Sequence, residues 1–164
     1  MPKSDFILFD AGLFIGALLQ GDPRHQEARP IVEAARAGNL PGCTTTSILS
    51  EVYAALTWVN AQPPHTPQEA AAAIRLLVEP PSEIIVLADS LDTSITMLLL
   101  AEKYELTARR VHDARHAATA LENGVKKVFT YDTSDWKIFT PEGLSISGPP
   151  SVLSKSLQDK SVNE

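Results

Sequence analysis

Apolar and polar positions fall into blocks along this chain, and the blocks carry two periods. FILFD (6–10) is a short, nearly continuous apolar run closed by an acid, the pattern of a strand buried on both faces. AGLFIGALLQ follows with helical apolar spacing, and GDPRH (21–25) breaks it. Residues 24–37 are helical in composition, with Gly38 and Asn39 as the stop signal. PGCTTT leads through a short β-prone stretch into SILSEVYAALTWV, an amphipathic helix. QPPHTP (62–67) is a loop in which Thr66 is placed to cap a helix that starts at Pro67 and runs through AAAAIRLLV to the prolines at 80 and 81. EIIVL (83–87) is a second strand and ADSLDTSITMLLLAEKYEL (88–106) a long helix. HDARHAATALENG (112–124) is another helix, KKVFTYD (126–132) a strand ending in an acid, and LSIS (144–147) a last strand. Strands alternating with helices in this way imply an α/β domain with a parallel sheet covered on both faces. One domain over 1–147 is expected, without internal repeats, followed by a polar tail (148–164) expected to be mobile.

Composition supports a packed domain. Of the 164 residues 44% are hydrophobic and 21% charged, which suits a globular core and not a disordered chain. The single cysteine, Cys43, excludes an internal disulfide framework and a multi-cysteine zinc site. Lys3 followed by FILFDAGLFIGALL superficially resembles a secretory leader. Asp10 interrupts the run, however, and no small-residue cleavage site follows it. No run approaches the roughly 18 apolar residues of a membrane helix. A mature, soluble, cytoplasmic protein is therefore expected.

Four acids, with Asp135 as a nearby fifth, are candidates for the chemistry done at the edges of α/β sheets. Asp10 closes the first strand, at the edge where ligands bind, although an Asx turn or helix cap accounts for it equally well. Glu51 falls in the early turns of the helix after TTTS, where the helix dipole alone favours a carboxylate. Asp113 opens a helix whose Ala114, Ala117, Ala118 and Ala120 permit close approach to the sheet. Asp132 and Asp135 end the strand KVFT in the phrase TYDTSDW, which is also good turn chemistry. Parallel strands would bring these termini to one edge. Clustered carboxylates repel and hold on to their protons unless a cation neutralises them, and Mg²⁺ is the hard divalent ion that carboxylates, waters and phosphates share. No histidine–cysteine set with zinc spacing competes.

At these residues the sequence resembles the PIN-domain nucleases, particularly VapC-type toxins, over roughly residues 5–140. The resemblance rests on FILFDAGLFIGALL, TTTSILSEVYAAL and VHDARHAATALENGVKKVFTYDTSDW, the last containing a Thr-x-Asp-x-x-Asp-aromatic turn from Thr130 to Trp136. It implies a three-layer α/β/α domain with a mainly parallel sheet of about five strands. It implies catalytic and metal-binding roles for Asp10, Glu51, Asp113 and Asp132, with Asp135 a further metal carboxylate. It also implies Mg²⁺ or Mn²⁺, an RNA substrate cut at its phosphodiester bonds, a small antitoxin partner on an apolar groove within 12–37 or 46–79, and a homodimer. One departure stands out. After the first Asp the family usually carries Thr or another small residue, then Asn or Ser; here Ala11 and Gly12 take those places, and their side-chain hydrogen bonds are missing.

Charge complicates the nuclease expectation. The formal net charge of −6 is unfavourable for binding phosphates, but six of the 14 Lys and Arg residues lie between 109 and 137. Arg109, Arg110 and Arg115 are candidates to hold an RNA backbone, or solvated charges at a helix end. His25, His65, His112 and His116 receive no catalytic role, and Trp58 and Trp136 are expected to pack. Two other enzymes fit worse. A haloacid-dehalogenase-like phosphatase wants a second Asp where Gly12 stands, and a receiver domain wants paired acids at the first strand. A catalytically silent PIN-like module that binds RNA or protein is the alternative of a different class.

Overall fold

The computed structural model describes residues 2–152; residues 153–164, most of the expected tail, lie outside the described residues. Strand β1 (Ile7–Phe9) is central. It pairs in parallel with β2 (Gly42–Thr45) on one side and β4 (Lys127–Phe129) on the other, in the register Leu8↔Cys43 and Leu8↔Val128. β3 (Ile85–Leu87) extends the sheet beyond β2, and β5 (Ser145–Ser147) beyond β4. The sheet is five-stranded with order β3-β2-β1-β4-β5, and every pairing is parallel, as the alternation of strand and helix signals requires.

Parallel strands need crossovers, and these supply the helices. β1 leads to β2 through α1 (Ala11–Leu18) and α2 (His25–Arg36). β2 leads to β3 through α3 (Thr46–Thr57) and α4 (Pro67–Val78). β3 returns across the sheet to β4 through α5 (Leu91–Lys103) and α6 (Arg110–Glu122), and a short α7 (Thr133–Trp136) precedes β5. α1 packs on α2 and α3, α3 packs on α4, and α5 packs on α6. Right-handed crossovers that first run one way from β1 and then come back place α1–α4 on one face and α5–α6 on the other. No described helix is long and apolar enough to cross a membrane.

Local chemistry explains the element boundaries. Thr66 caps α4 as its position implied: Glu69 N donates to Thr66 Oγ1 at 3.2 Å and Thr66 N donates to Glu69 Oε2 at 2.8 Å, a reciprocal capping box with Pro67 behind it. The core between the layers includes Leu8, Phe9, Leu13, Phe14, Ile48, Val52 and Leu56, all essentially inaccessible. α6 lies close to the sheet because Ala114, Ala117, Ala118 and Ala120 are fully buried. Two expectations change. Asp132 does not end a strand: β4 stops at Phe129, and Asp132 is the residue before α7, three positions further on. Trp58 does not pack inside; it caps the end of α3 with 58% of its surface exposed.

Candidate functional site

The order of the strands creates a crevice. β1 sends the chain towards β2, whereas β4, its other neighbour, sends it towards β5, so the connections leave the β1/β4 pair in opposite directions. The carboxyl ends of strands at such a switch point are where open α/β sheets bind ligands. Asp10 and the Thr130–Asp135 turn occupy that edge.

Asp10 is buried and firmly held. It is the N-cap of α1, and its Oδ1 accepts from Ala11 N at 2.8 Å. Its Oδ2 accepts from Thr130 Oγ1 at 2.7 Å and from Trp136 Nε1 at 3.1 Å. The last ladder bond of β1 runs from Asp10 N to Phe129 O at 3.2 Å, which ties the carboxylate to β4. Thr130 serves twice, because its Oγ1 also accepts from Asp132 N at 3.0 Å and so fixes the start of the turn. Trp136 packs as expected, inaccessible and edge-on to Phe139, and in addition carries this hydrogen bond. The motif Thr-x-Asp-x-x-Asp-Trp contains both supporting side chains, so a hydrogen-bonding role for its first and last members was the available signal.

Asp113 lies in the first turn of α6 and faces the same cluster. Burial, followed by the negative charge of Asp10, pushes its carboxyl up to about 7; Asp132 and Asp135 push the same way and His116 opposes them. The Asp132 carboxyl is also raised, by desolvation first and then by Asp10 and Asp135, with Arg24 pulling it down. Asp10, Asp113, Asp132 and Asp135 therefore share one field, with Asp132 and Asp135 on its exposed side.

Glu51 joins indirectly. On α3 it is half-exposed, and its Oε1 pairs with His116 Nε2 at 2.8 Å. His116, almost wholly buried, also contacts Thr45 Oγ1 through Nδ1 at 3.4 Å. The histidine thus links α3, β2 and the helix that carries Asp113. Its importance was not readable from spacing, since its partner is 65 residues away. A second linkage was also missed: Asp89, after β3, accepts from Ser47 and from Thr119 Oγ1, the latter at 2.8 Å. Arg109 and Arg110 are exposed at the start of α6, and Arg115 is half-buried one turn on. His112 is exposed, and His25 Nδ1 donates to Gly16 O at 2.9 Å.

The donor chemistry of this edge suits a hard divalent cation: four carboxylates gather there, and burial and the neighbouring negative charges raise the carboxyls of Asp113 and Asp132. The side chains are nevertheless open. Among the described residues no three His, Cys, Asp or Glu groups converge as a ready-made ligand set.

Comparison with known proteins bears on the family and the fold. The PIN domain family model matches residues 7–137, which takes in Asp10, Glu51, Asp113, Asp132 and Asp135. No curated protein sequence matches. Among solved structures, the chain is similar to Mycobacterium tuberculosis VapC20, a sarcin–ricin loop cleaving toxin, with a TM-score of 0.63 and 18% identity over 85% of this chain and 96% of that one. It is similar to a toxin–antitoxin complex from Klebsiella pneumoniae, with a TM-score of 0.54 and 21% identity over 79% and 89%. A third similar structure is VapBC2 from Rickettsia felis bound to a DNA fragment from its promoter, with a TM-score of 0.59 and 11% identity over 88% and 98%. These likenesses are ones of fold. With the family model spanning most of the chain and the acids gathered at the switch point, the protein belongs to the PIN-domain family.

Proposed function

We propose that this protein is a Mg²⁺- or Mn²⁺-dependent endoribonuclease and the toxin of a toxin–antitoxin pair. The observation that carries the reading is the gathering of Asp10, Asp113, Asp132 and Asp135 at the β1/β4 switch point, where burial first and then the charges of the other three raise the Asp113 carboxyl to about 7. A fold with no use for a cation gains nothing by keeping such repulsion. Likeness in fold to VapC20, a toxin that cleaves the sarcin–ricin loop, supports RNA as the substrate class.

In this reading Asp10, Glu51, Asp113 and Asp132 hold the metal, with Asp135 a supporting carboxylate. A bound divalent ion would supply an acidified water and neutralise charge on the phosphodiester. The protein's own contribution is positioning. Thr130, Trp136 and the Ala11 amide fix Asp10 in one orientation. His116 holds Glu51 towards α6, and Arg109, Arg110 and Arg115, at the start of α6 and on its first turns, would meet the RNA backbone.

Two partners follow. A groove of about 440 Å³ between α1 and α3, lined by Ile15, Leu19, Pro23, Ala55, Trp58 and Ala61, falls within the stretches expected to receive an antitoxin helix. The toxin–antitoxin complexes among the similar structures support such a partner. A second copy would cover the exposed stripe Leu91, Ile95, Leu98 and Leu99, which recurs at helical spacing on α5.

The test is cleavage of RNA by the purified, partner-free protein in Mg²⁺ or Mn²⁺. Asp10→Asn and Asp113→Asn should abolish cleavage while circular dichroism and the thermal midpoint show a folded chain. Full activity in either variant, or in excess chelator, overturns the mechanism. The open arrangement of the carboxylates favours one second reading, a silent PIN-like binding module. Metal binding without cleavage of any RNA would select it.

A further inference from the structure

Gly12 departs from the residue that the family resemblance implies, and the space it leaves is occupied. A Cβ added at Gly12 would lie 2.9 Å from Arg24 Nη1 and 3.7 Å from Tyr131 Cδ2. One turn along the same face of α1, a Cβ at Gly16 would lie 2.9 Å from Arg24 Cβ. The two glycines form a channel that seats the whole Arg24 side chain, stem at Gly16 and guanidinium at Gly12. Arg24 is locked there from two further sides. Asp22 accepts from its Nε at 2.9 Å and its Nη2 at 2.8 Å, and the guanidinium stacks over the Tyr131 ring at 5.3 Å.

Nη1 is left over. It has no hydrogen-bond acceptor among the described residues, and about a third of the side chain remains exposed. Tyr131 adjoins Asp132, and the Arg24 and Asp132 charges each perturb the other. A planar cation with one free donor nitrogen is thus fixed on the rim of the acid cluster. Among the described residues, no comparable clamp holds Arg109, Arg110 or Arg115.

We propose that Arg24 is a substrate-binding residue whose Nη1 receives a backbone phosphate oxygen of RNA, Gly12 being the vacancy that lets it reach the pocket. The assignment rests on the nuclease reading and adds a residue to it. An anionic substrate must approach a ring of aspartates in a chain of net charge −6, and a rigid, preorganised guanidinium offers the opposing charge at the point of contact.

The experiment is fluorescence anisotropy with a fluorescein-labelled, single-stranded RNA of mixed sequence, titrated with the full chain in chelator over a range of salt. Arg24→Met should weaken binding about 5- to 50-fold and reduce the magnitude of the log Kd–log salt slope by roughly 0.7, the loss of one phosphate contact on a single strand. Arg24→Lys should keep the slope. Gly12→Ala, with Arg24 intact, should weaken binding in the same direction, which covers the case in which Arg24→Met alone perturbs the fold. Arg75→Met, removing an exposed charge on α4, should change neither quantity. If native protein binds RNA but Arg24→Met matches it in Kd and slope, or Arg75→Met loses as much, the inference is overturned and the nuclease reading stands. If native protein neither binds nor cleaves RNA, both fall together.

Discussion

The charge at Asp113 makes the metal-free protein sensitive to pH in a direction that can be worked out. Its carboxyl titrates near 7 in the folded chain against 3.8 for an ordinary aspartate, because of burial first and then Asp10, Asp132 and Asp135. The folded state therefore holds a proton that the unfolded chain has released. That contribution is fully present below about pH 4 and is lost as pH rises through 7. Three units at about 1.4 kcal/mol each give roughly 4 kcal/mol. Asp113 is only part-buried, and solvent screening reduces the figure to about 2 kcal/mol. Asp113→Asn carries no titrating group, so the variant should escape this loss. Thermal unfolding of both proteins in chelator between pH 4 and pH 7.5 measures it. The difference in midpoint should widen in the variant's favour by about 4–8 °C, given the size of the domain. Asp22 and Glu27, whose carboxyls are depressed, titrate in both proteins and cancel in the difference. Added Mg²⁺ or Mn²⁺ should raise the midpoint of the native chain at pH 7.5 more than that of the variant. Parallel stability curves across the whole range would refute the argument, for they would mean that neither burial nor like charge raises the Asp113 carboxyl.

Two other consequences are as direct. Trp136→Phe keeps most of the packing against Phe139 but removes the donor 3.1 Å from Asp10 Oδ2. A cost of about 2–3 kcal/mol is expected from the lost bond to a buried carboxylate and the small cavity, read as a fall in thermal midpoint with reduced RNA cleavage; an unchanged midpoint would show that Asp10 does not depend on the indole. Leu98→Glu places a charge in the middle of the α5 stripe, at a position 60% exposed in the single chain. Light scattering should report a dimer for the native protein and a monomer for the variant, and a dimer in both would place the interface elsewhere.

What the sequence revealed depended on the range of each interaction. Asp10 was legible because one short segment, FILFD, carries both the strand and the acid at its end. The Thr66–Glu69 capping box was legible for the same reason, since both partners lie within four residues. The β-prone pattern continues through Thr130 and Tyr131, so the sequence alone extends the strand to Asp132. In the structure Tyr131 leaves the sheet to bond Glu27 Oε1 at 2.9 Å, 104 residues away in the chain. Glu27 also accepts from Ser151 N at 3.0 Å, which anchors the first residues of the segment expected to be a mobile tail. His116 was unreadable because its value lies in a bond to Glu51 across two helices. Trp58 faces solvent, although an aromatic in an amphipathic block normally faces the core, because it falls at the cap, after the buried face has ended.

Gly12 shows how the same residue changes meaning between the two views. In sequence it is a missing hydroxyl or amide beside the first acid, and so an argument for a weakened site. In the structure its lack of a Cβ admits a guanidinium that is braced by Asp22 and stacked on Tyr131, and whose charge acts on Asp132. A neutral hydrogen-bonding side chain could steady the first carboxylate, but Thr130, Trp136 and the Ala11 amide already do that. What remains unmet at this edge is the excess of negative charge over the cations near it, which no neutral side chain could relieve. The departure at Gly12 therefore exchanges a redundant hydrogen bond for a positive charge where the site lacks one, and this is an argument for an adapted site over a silent one.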